Sequence, residues 1–112
     1  MSTVNRSLLI VRAKKPFLGW LKSLPDPANV TMSEVNEDNT VYPLPDFEND
    51  KEQDEILSHV FGLIFEEQLM GWSQDDRDWP SDRSFAVFKE WFDVEFHSLV
   101  LDLVDEPLVR ED

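Results

Sequence analysis

Two apolar patterns with different periods open the chain. Residues Ser7 to Ala13 (SLLIVRA) form a nearly unbroken apolar run rich in β-forming residues, which predicts a strand that is covered on both faces and central in its sheet. From Pro16 onward, apolar residues recur at helical spacing as far as Pro25, which predicts a helix whose apolar stripe lies on that sheet. The lysines around this helix should then point outward, namely Lys14, Lys15 and Lys22.

The middle of the chain is polar and contains a weaker strand pattern. Residues 30–39 are acidic, and Thr31 or Ser33 could cap a single helical turn there. Thr40 to Leu44 is predicted to be a second strand, and because prolines cannot donate to a ladder, Pro43 and Pro45 place it at a sheet edge. The strongly acidic segment 46–55 is predicted to be a loop that runs into the first turn of a helix.

The strongest helical pattern runs from Ile56 to Met70 and is closed by Gly71. Its apolar residues fall on two adjacent stripes, which are Ile56, Val60, Leu63 and Ile64 on one and Leu57, Phe61, Phe65 and Leu69 on the other. Because two stripes occupy more than half of the circumference, this helix is predicted to be the hub of the core or to face a partner as well.

The C-terminal third combines a loop, a short helix and an ambiguous apolar segment. Residues 72–84 (WSQDDRDWPSDRS) have loop composition, and Phe85 to Phe92 is predicted to be a short helix capped by Asp82 or Ser84. Val94 to Val104 alternates and favours a strand, although the same residues could continue the helix. We expect a single α+β domain over residues 1–112, with a small three-stranded sheet, about three helices in the order β-α-β-α-α-β, and a frayed tail from about residue 105.

Charge divides the chain into two unequal parts. Residues 1–25 contain five bases and no acid, a charge of +5, whereas residues 26–112 contain 24 acids and five bases, a charge of −19, giving −14 overall. Because the long-range field of such a body opposes contact with phosphates, we expect no direct binding to nucleic acid. The alternative hypothesis is that the protein mimics nucleic acid and competes for the basic groove of nucleic-acid-binding proteins.

The composition and the N-terminal residues restrict the chemistry and the compartment. With no cysteine the chain can form no disulfide, thiolate metal site or thiol nucleophile, which suits a reducing cytoplasm. The apolar run Leu8 to Val11 is shorter than a signal sequence requires, and no stretch approaches the length of a membrane span. We therefore expect a cytoplasmic protein that does not enter a membrane.

Candidate catalytic and metal-binding groups are isolated from one another. His59 and His97 have too few potential ligands nearby for a zinc site. The alternating acids from Asp46 onward resemble a calcium loop, but the sixth and twelfth positions are Lys51 and Leu57 instead of glycine and glutamate. We expect no cofactor and no enzymatic activity, and an enzyme using His97 with nearby carboxylates is the second alternative.

The tryptophans provide the remaining functional signal. Trp20 and Trp91 lie in apolar helical patterns and are predicted to be core residues. Trp72 and Trp79 lie in a polar loop, where a large aromatic either folds back under the helices or is offered to a partner. We hypothesise that these two residues bind a partner, and that the protein is a non-enzymatic interaction module for another protein or for a second copy of itself in a homodimer.

Two long segments also suggest a relationship. NRSLLIVRAKKPFLGWLKSLPDP near the start and DRSFAVFKEWFDVEFHSLVLDL near the end resemble segments of small acidic bacterial proteins that have no assigned activity. The resemblance spans Asn5 to Leu103. It implies a bacterial, cytoplasmic protein and assigns no catalytic or binding residue.

Overall fold

The computed structural model describes residues 1–111 and contains helices and two small antiparallel sheets. The strands are β1 (Ser2–Thr3), β2 (Ser7–Ala13), β3 (Val41–Leu44), β4 (Phe92–His97) and β5 (Leu101–Asp102). The α-helices are α1 (Lys15–Ser23), α2 (Met32–Val35), α3 (Asp50–Met70) and α4 (Phe85–Trp91), and a single 3₁₀ turn covers Asp76–Asp78. The predicted α+β class is confirmed, and α2 and the second sheet add to the predicted element order.

The larger sheet has the order β3-β2-β4, so the prediction that β2 is central is confirmed. Both neighbours run antiparallel to β2, with Leu9 opposite Tyr42 on one side and Phe96 on the other. β3 lies at an edge, as its prolines predicted. The prediction that β2 is covered on both faces is wrong, because Leu9 and Val11 are buried while Leu8 and Ile10, on the outer face, are only partly buried.

Helices α1, α3 and α4 supply the aromatic core that packs with the inner face of this sheet. The ring of Phe65 on α3 lies 6.0 Å from Phe88 and 5.4 Å from Phe92, and the ring of Phe17 on α1 lies 5.3 Å from Phe92. Such tilted and edge-on pairs add stability beyond the area they bury. The short helix α4 is capped by Ser84, whose hydroxyl accepts a hydrogen bond from the Val87 amide.

The long helix α3 begins six residues earlier than predicted, at Asp50. Asn49 is its cap, with its side-chain oxygen accepting from the Glu52 amide at 2.9 Å, so part of the predicted acidic loop is helical. Acidic residues in a first turn are favoured because they face the positive end of the helix dipole. Of the two predicted stripes, Leu57, Phe65 and Leu69 face the core. On the other stripe Ile64 is also buried, whereas Leu63 is 72% exposed.

The predicted strand Val94 to Val104 is divided into two strands that belong to different sheets. β4 begins at Phe92, directly after α4, and ends at His97. The chain then crosses to β5, which pairs with β1 at the opposite end of the sequence. The Val4 amide extends this pairing by donating to the Val100 carbonyl at 2.9 Å. The alternating leucines of this segment are exposed and therefore add little to the core.

Candidate functional site

The structure places the two loop tryptophans in different environments. Trp79 is partly buried against the core, and its indole Nε1 donates to the Ser73 carbonyl at 2.9 Å. Trp72 is 40% exposed. Of the two predicted partner-binding residues, Trp79 therefore supports the loop, while Trp72 is available at the surface.

The loop between these tryptophans is fixed to the rest of the molecule. Trp20, buried on α1, donates its indole Nε1 to the Asp78 carbonyl at 2.9 Å. Asp75 caps the 3₁₀ turn by accepting from the Arg77 amide and its guanidinium. Hydrogen bonds from Arg77 hold the pKa of the Asp75 carboxyl below its usual range. Trp72 thus precedes an ordered loop.

The end of α3 sets the backbone of Trp72. The Gly71 amide donates to the Glu67 carbonyl at 3.2 Å, and the amides of Trp72 and Ser73 both donate to the Leu69 carbonyl. These bonds satisfy carbonyls that would otherwise be unpaired at a helix C-terminus. Gly71 keeps a right-handed conformation, with φ of −61°, so the helix ends without a left-handed glycine cap.

Trp72 lies at the lip of a cavity of about 410 Å³, which we call the Trp72 groove. One wall is the end of α3, with Glu67 and the 54% exposed Met70. The other wall is formed by residues that follow α2, including Asn36 and Asp38. The groove therefore combines two exposed apolar side chains with carboxylates.

Asn36 joins the second wall to the central strand. Its side-chain oxygen accepts from the Ala13 amide at 2.8 Å, and its side-chain nitrogen donates to the Ala13 carbonyl at 3.0 Å. The amide group thus pairs with the end of β2 beyond Val41, the first residue of β3, as a neighbouring strand would. Thr31 positions this segment, because it forms a reciprocal capping box with Glu34 at the start of α2.

Tyr42 orients the acidic wall of the groove. Gln68 donates to the Tyr42 hydroxyl at 2.8 Å, and the hydroxyl donates to a Glu67 carboxylate oxygen at 3.1 Å. Burial, aided by the nearby charge of Glu67, raises the pKa of Tyr42 to about 12. The phenol is therefore a neutral hydrogen-bond donor at physiological pH and holds Glu67 in one orientation.

The histidines lie elsewhere and are exposed. His59 donates through Nδ1 to the Glu55 carbonyl of its own helix at 2.7 Å. His97 donates to Glu95 at 2.8 Å, and Arg12 lies 3.5 Å from the same carboxylate oxygen. The hydrogen bond from His97 is the largest cause of a lowered pKa of the Glu95 carboxyl, and the charge of Arg12 lowers this pKa further. In residues 1–111 no three acidic or histidine side chains converge in a way that could hold a metal ion.

The sequence pattern pointed to Trp72 but missed the residues that shape its groove. Asn36, Tyr42 and Glu67 come from three separate parts of the chain, and none has a spacing that would mark it in advance. The only available signal was that Tyr42 is the sole tyrosine, placed directly before Pro43 in a predicted edge strand.

Comparison of the chain with protein-family models, curated proteins and solved structures returned no match. Within residues 1–111, no helix combines the length and the apolar character that crossing a bilayer requires.

Proposed function

We propose that this protein is a non-enzymatic interaction module that binds a basic segment of another protein in the Trp72 groove. The observation that carries the proposal is the position of Trp72, 40% exposed beside Glu67, whose carboxylate Tyr42 already holds in place. The loop was expected to bind a partner through both tryptophans, and the proposal now assigns the contact to Trp72 and a supporting role to Trp79.

The groove offers complementary contacts to a lysine or arginine side chain. A cation over an indole face is attracted by the ring quadrupole, and a carboxylate beside it can accept a charge-assisted hydrogen bond. Tryptophan is also enriched among the few interface residues that dominate binding energy. Met70, on the same lip, adds a flexible apolar surface that adapts to different side chains.

Net charge favours a basic partner over a second copy. A body of −14 steers cationic molecules toward it and raises their association rate at low salt. A homodimer formed through this groove would instead bring two chains of −14 together. We therefore assign the groove to a different protein, in the cytoplasm, and homodimerisation becomes an outcome that the test can detect.

The alternative is that the protein mimics nucleic acid. The acidic composition favours this alternative, but the spacing of the carboxylates along α3 does not. Its carboxylates form two groups, one ending at Glu55 and one beginning at Glu66, separated by about 16 Å along the helix axis. A nucleic-acid strand carries a phosphate about every 3.4 Å. The long helix therefore does not reproduce a continuous row of phosphates.

Affinity capture from native lysate at low and at moderate salt tests the proposal. We expect Trp72→Ala to lose the captured partner, with binding weakened on the order of thirtyfold, which corresponds to about 2 kcal/mol for an anchoring tryptophan. Leu63→Ala is the matched control because it also truncates a large exposed apolar side chain, and Leu63 lies on the helix that forms one wall of the groove. It should capture the same proteins as the wild type.

Three outcomes would contradict the proposal. Retention of the same partners by Trp72→Ala would exclude the groove. Capture of only nucleic-acid-binding proteins, lost at a few hundred millimolar salt and insensitive to Trp72→Ala, would favour the mimic, because exposed charge contacts are screened over about 8 Å at physiological ionic strength. Failure of His97→Ala to rescue a deletion phenotype, with Trp72→Ala rescuing fully, would favour the enzyme.

A further inference from the structure

The two edges of the larger sheet differ in what they offer to another strand. Leu9 of β2 lies opposite Tyr42 of β3. Because Ala13 directs its amide and carbonyl to the β3 side, the alternation along β2 directs those of Leu9 to the same side, which makes Leu9 and Tyr42 a hydrogen-bonded pair. The backbone groups of Val41 and Pro43 therefore point to the free edge. Pro43 has no amide hydrogen and Pro45 follows shortly after, which blocks this edge against strand addition. The other edge, β4, contains no proline.

The backbone of β4 offers unpaired groups at its free edge. The amide and carbonyl of Ala13 point to the β3 side of β2, where both form hydrogen bonds with the Asn36 side chain. Ala13 and Phe92, which lie opposite each other in β2 and β4, are therefore not joined by backbone hydrogen bonds. By the alternation of an antiparallel ladder, the amides and carbonyls of Val94 and Phe96 also point away from β2. No loop or cap hydrogen bond within residues 1–111 uses them.

A groove runs along this unpaired edge. It has a volume of about 540 Å³, and it is lined by the alternate residues of the strand segment that share the inner face of the sheet, together with Asp93. Phe47 and Leu57 stand on its opposite side, and the Phe47 ring makes an edge-on contact with Phe96 at 5.8 Å. The lining residues contributed by this segment are Phe92, Asp93, Val94, Phe96 and Ser98. Free hydrogen-bonding groups and a groove of mixed polar and apolar lining therefore occur side by side.

The charges around the groove define the occupant. Asp54 and Asp93 line it, and a second cavity of about 510 Å³, which also contacts Phe47 and Ser98, is lined by Asp46 and Glu48. Against these four carboxylates, Lys89 is the one base that lines either cavity among residues 1–111. The outward side chains of β4 next to an added strand would include Asp93 and Glu95, which stay exposed although Lys14 lies 4.0 Å from Asp93 and Arg12 lies 3.5 Å from Glu95.

We propose that the free edge of β4 is a second binding site, which takes an extended segment of a partner protein as a fourth strand of the sheet. The segment alternates apolar residues, which enter the groove, with lysine or arginine residues, which lie opposite Asp93 and Glu95. Backbone hydrogen bonds from Val94 and Phe96 supply affinity, and the groove and the carboxylates supply specificity.

A second copy of this chain fits the edge poorly. In a symmetric antiparallel pairing, hydrogen bonds between Val94 of one copy and Phe96 of the other place the two Glu95 side chains directly opposite each other. Like charges in such cross-strand positions are destabilising. In this register the edge therefore favours a basic strand over its own copy.

A capped hexapeptide of alternating valine and lysine is a defined probe, because its extended length of about 20 Å matches the six residues of β4. Fluorescence anisotropy measures the binding of this peptide to the full-length protein. Two isomers of the peptide are measured in the same way, one N-methylated on all valine amides and the other on all lysine amides. Strand addition uses only one set of amides, so one isomer should bind about tenfold more weakly than the other, consistent with the loss of two hydrogen bonds. A peptide with glutamate in place of lysine should not bind.

Protein variants provide the matched comparison. Val94→Pro removes an edge amide from β4 and should weaken peptide binding about tenfold, whereas Val41→Pro removes an edge amide from β3 and should leave it unchanged. Trp72→Ala should also leave it unchanged, which separates this site from the Trp72 groove. Equal binding of both N-methylated isomers would overturn the proposal, even if Val94→Pro failed to fold. Self-association that Val94→Pro abolishes would assign the edge to a second copy and overturn it too.

Discussion

At the scale of single residues, Tyr42 connects the edge strand to the long helix and controls the orientation of Glu67. Its hydroxyl is both donor and acceptor, and it joins residues that are about 25 positions apart in the sequence. Because Tyr42 is the only tyrosine, its ionisation can be followed without interference from another phenol.

We predict that tyrosinate forms with a midpoint near pH 12 in the folded protein and near the ordinary value of 10.0 in the unfolded protein. Burial is the largest cause of the raised pKa, since it penalises the charged phenolate. Ultraviolet absorbance titration of the native protein and of the protein in denaturant measures both midpoints. Glu67→Gln, which removes the neighbouring charge, should lower the folded midpoint while keeping it above the unfolded one.

The same shift predicts how stability depends on pH in the alkaline range. Below pH 10 the phenol is protonated in both states, and the full contribution of the buried neutral group is present. Between pH 10 and about 12 only the unfolded state ionises, so the free energy of unfolding falls as pH rises. A folded midpoint at 10 would mean that Tyr42 is solvated and does not fix Glu67.

At the scale of elements, the four-residue helix α2 positions Asn36, which follows it directly. The Asn36 side chain provides the neighbouring-strand contacts that β3 does not extend far enough to make at Ala13. The side-chain amide of Asn36 therefore provides both hydrogen bonds to the partly buried backbone of Ala13, and Asn36 also lines the Trp72 groove.

We predict that Asn36→Ala lowers the free energy of unfolding by about 1–3 kcal/mol, because it leaves the Ala13 amide and carbonyl without partners. Asn29→Ala is the control, since Asn29 is exposed, and it should change stability by less than about 0.5 kcal/mol. Urea denaturation of both variants gives the comparison. Equal stability of the two variants would show that water replaces the Asn36 side chain without cost.

Local patterns predicted most of these elements because each contained its own signal. Thr31 capped α2, Ser84 capped α4, and Pro43 marked an edge strand, all within a few residues of the feature they predicted. The apolar periodicity begins only at Ile56 and so places the start of α3 too late, whereas Asn49 caps the helix and brings most of the acidic segment into its first turns.

Contacts between distant segments could not be predicted in this way. β1 and β5 have two residues each, too few for any periodicity, and they form only because the two ends of the described chain meet. The Trp72 groove has the same origin: the polar loop identified Trp72, whereas Asn36 and Glu67 come to it from other elements through hydrogen bonds to Ala13 and Tyr42.

At the scale of the whole molecule, net charge affects stability as well as the choice of partner. Because acids are in large excess, the carboxylates of the folded protein repel one another and lower its stability. Added salt screens these charges and so weakens the repulsion. Two of the ion pairs that salt would weaken, Arg12 with Glu95 at 3.5 Å and Lys14 with Asp93 at 4.0 Å, are exposed. Exposed pairs of this kind contribute little.

We therefore predict that the melting temperature rises by a few degrees between about 20 mM and about 300 mM sodium chloride. The triple variant Asp46→Asn, Glu48→Gln, Asp54→Asn removes three exposed charges, so it should melt higher at low salt and respond less to added salt. Scanning calorimetry of both proteins at each salt concentration measures this. A melting temperature that falls with salt would mean that the basic N-terminal segment stabilises the acidic body through attraction, and that this attraction exceeds the repulsion among the acids.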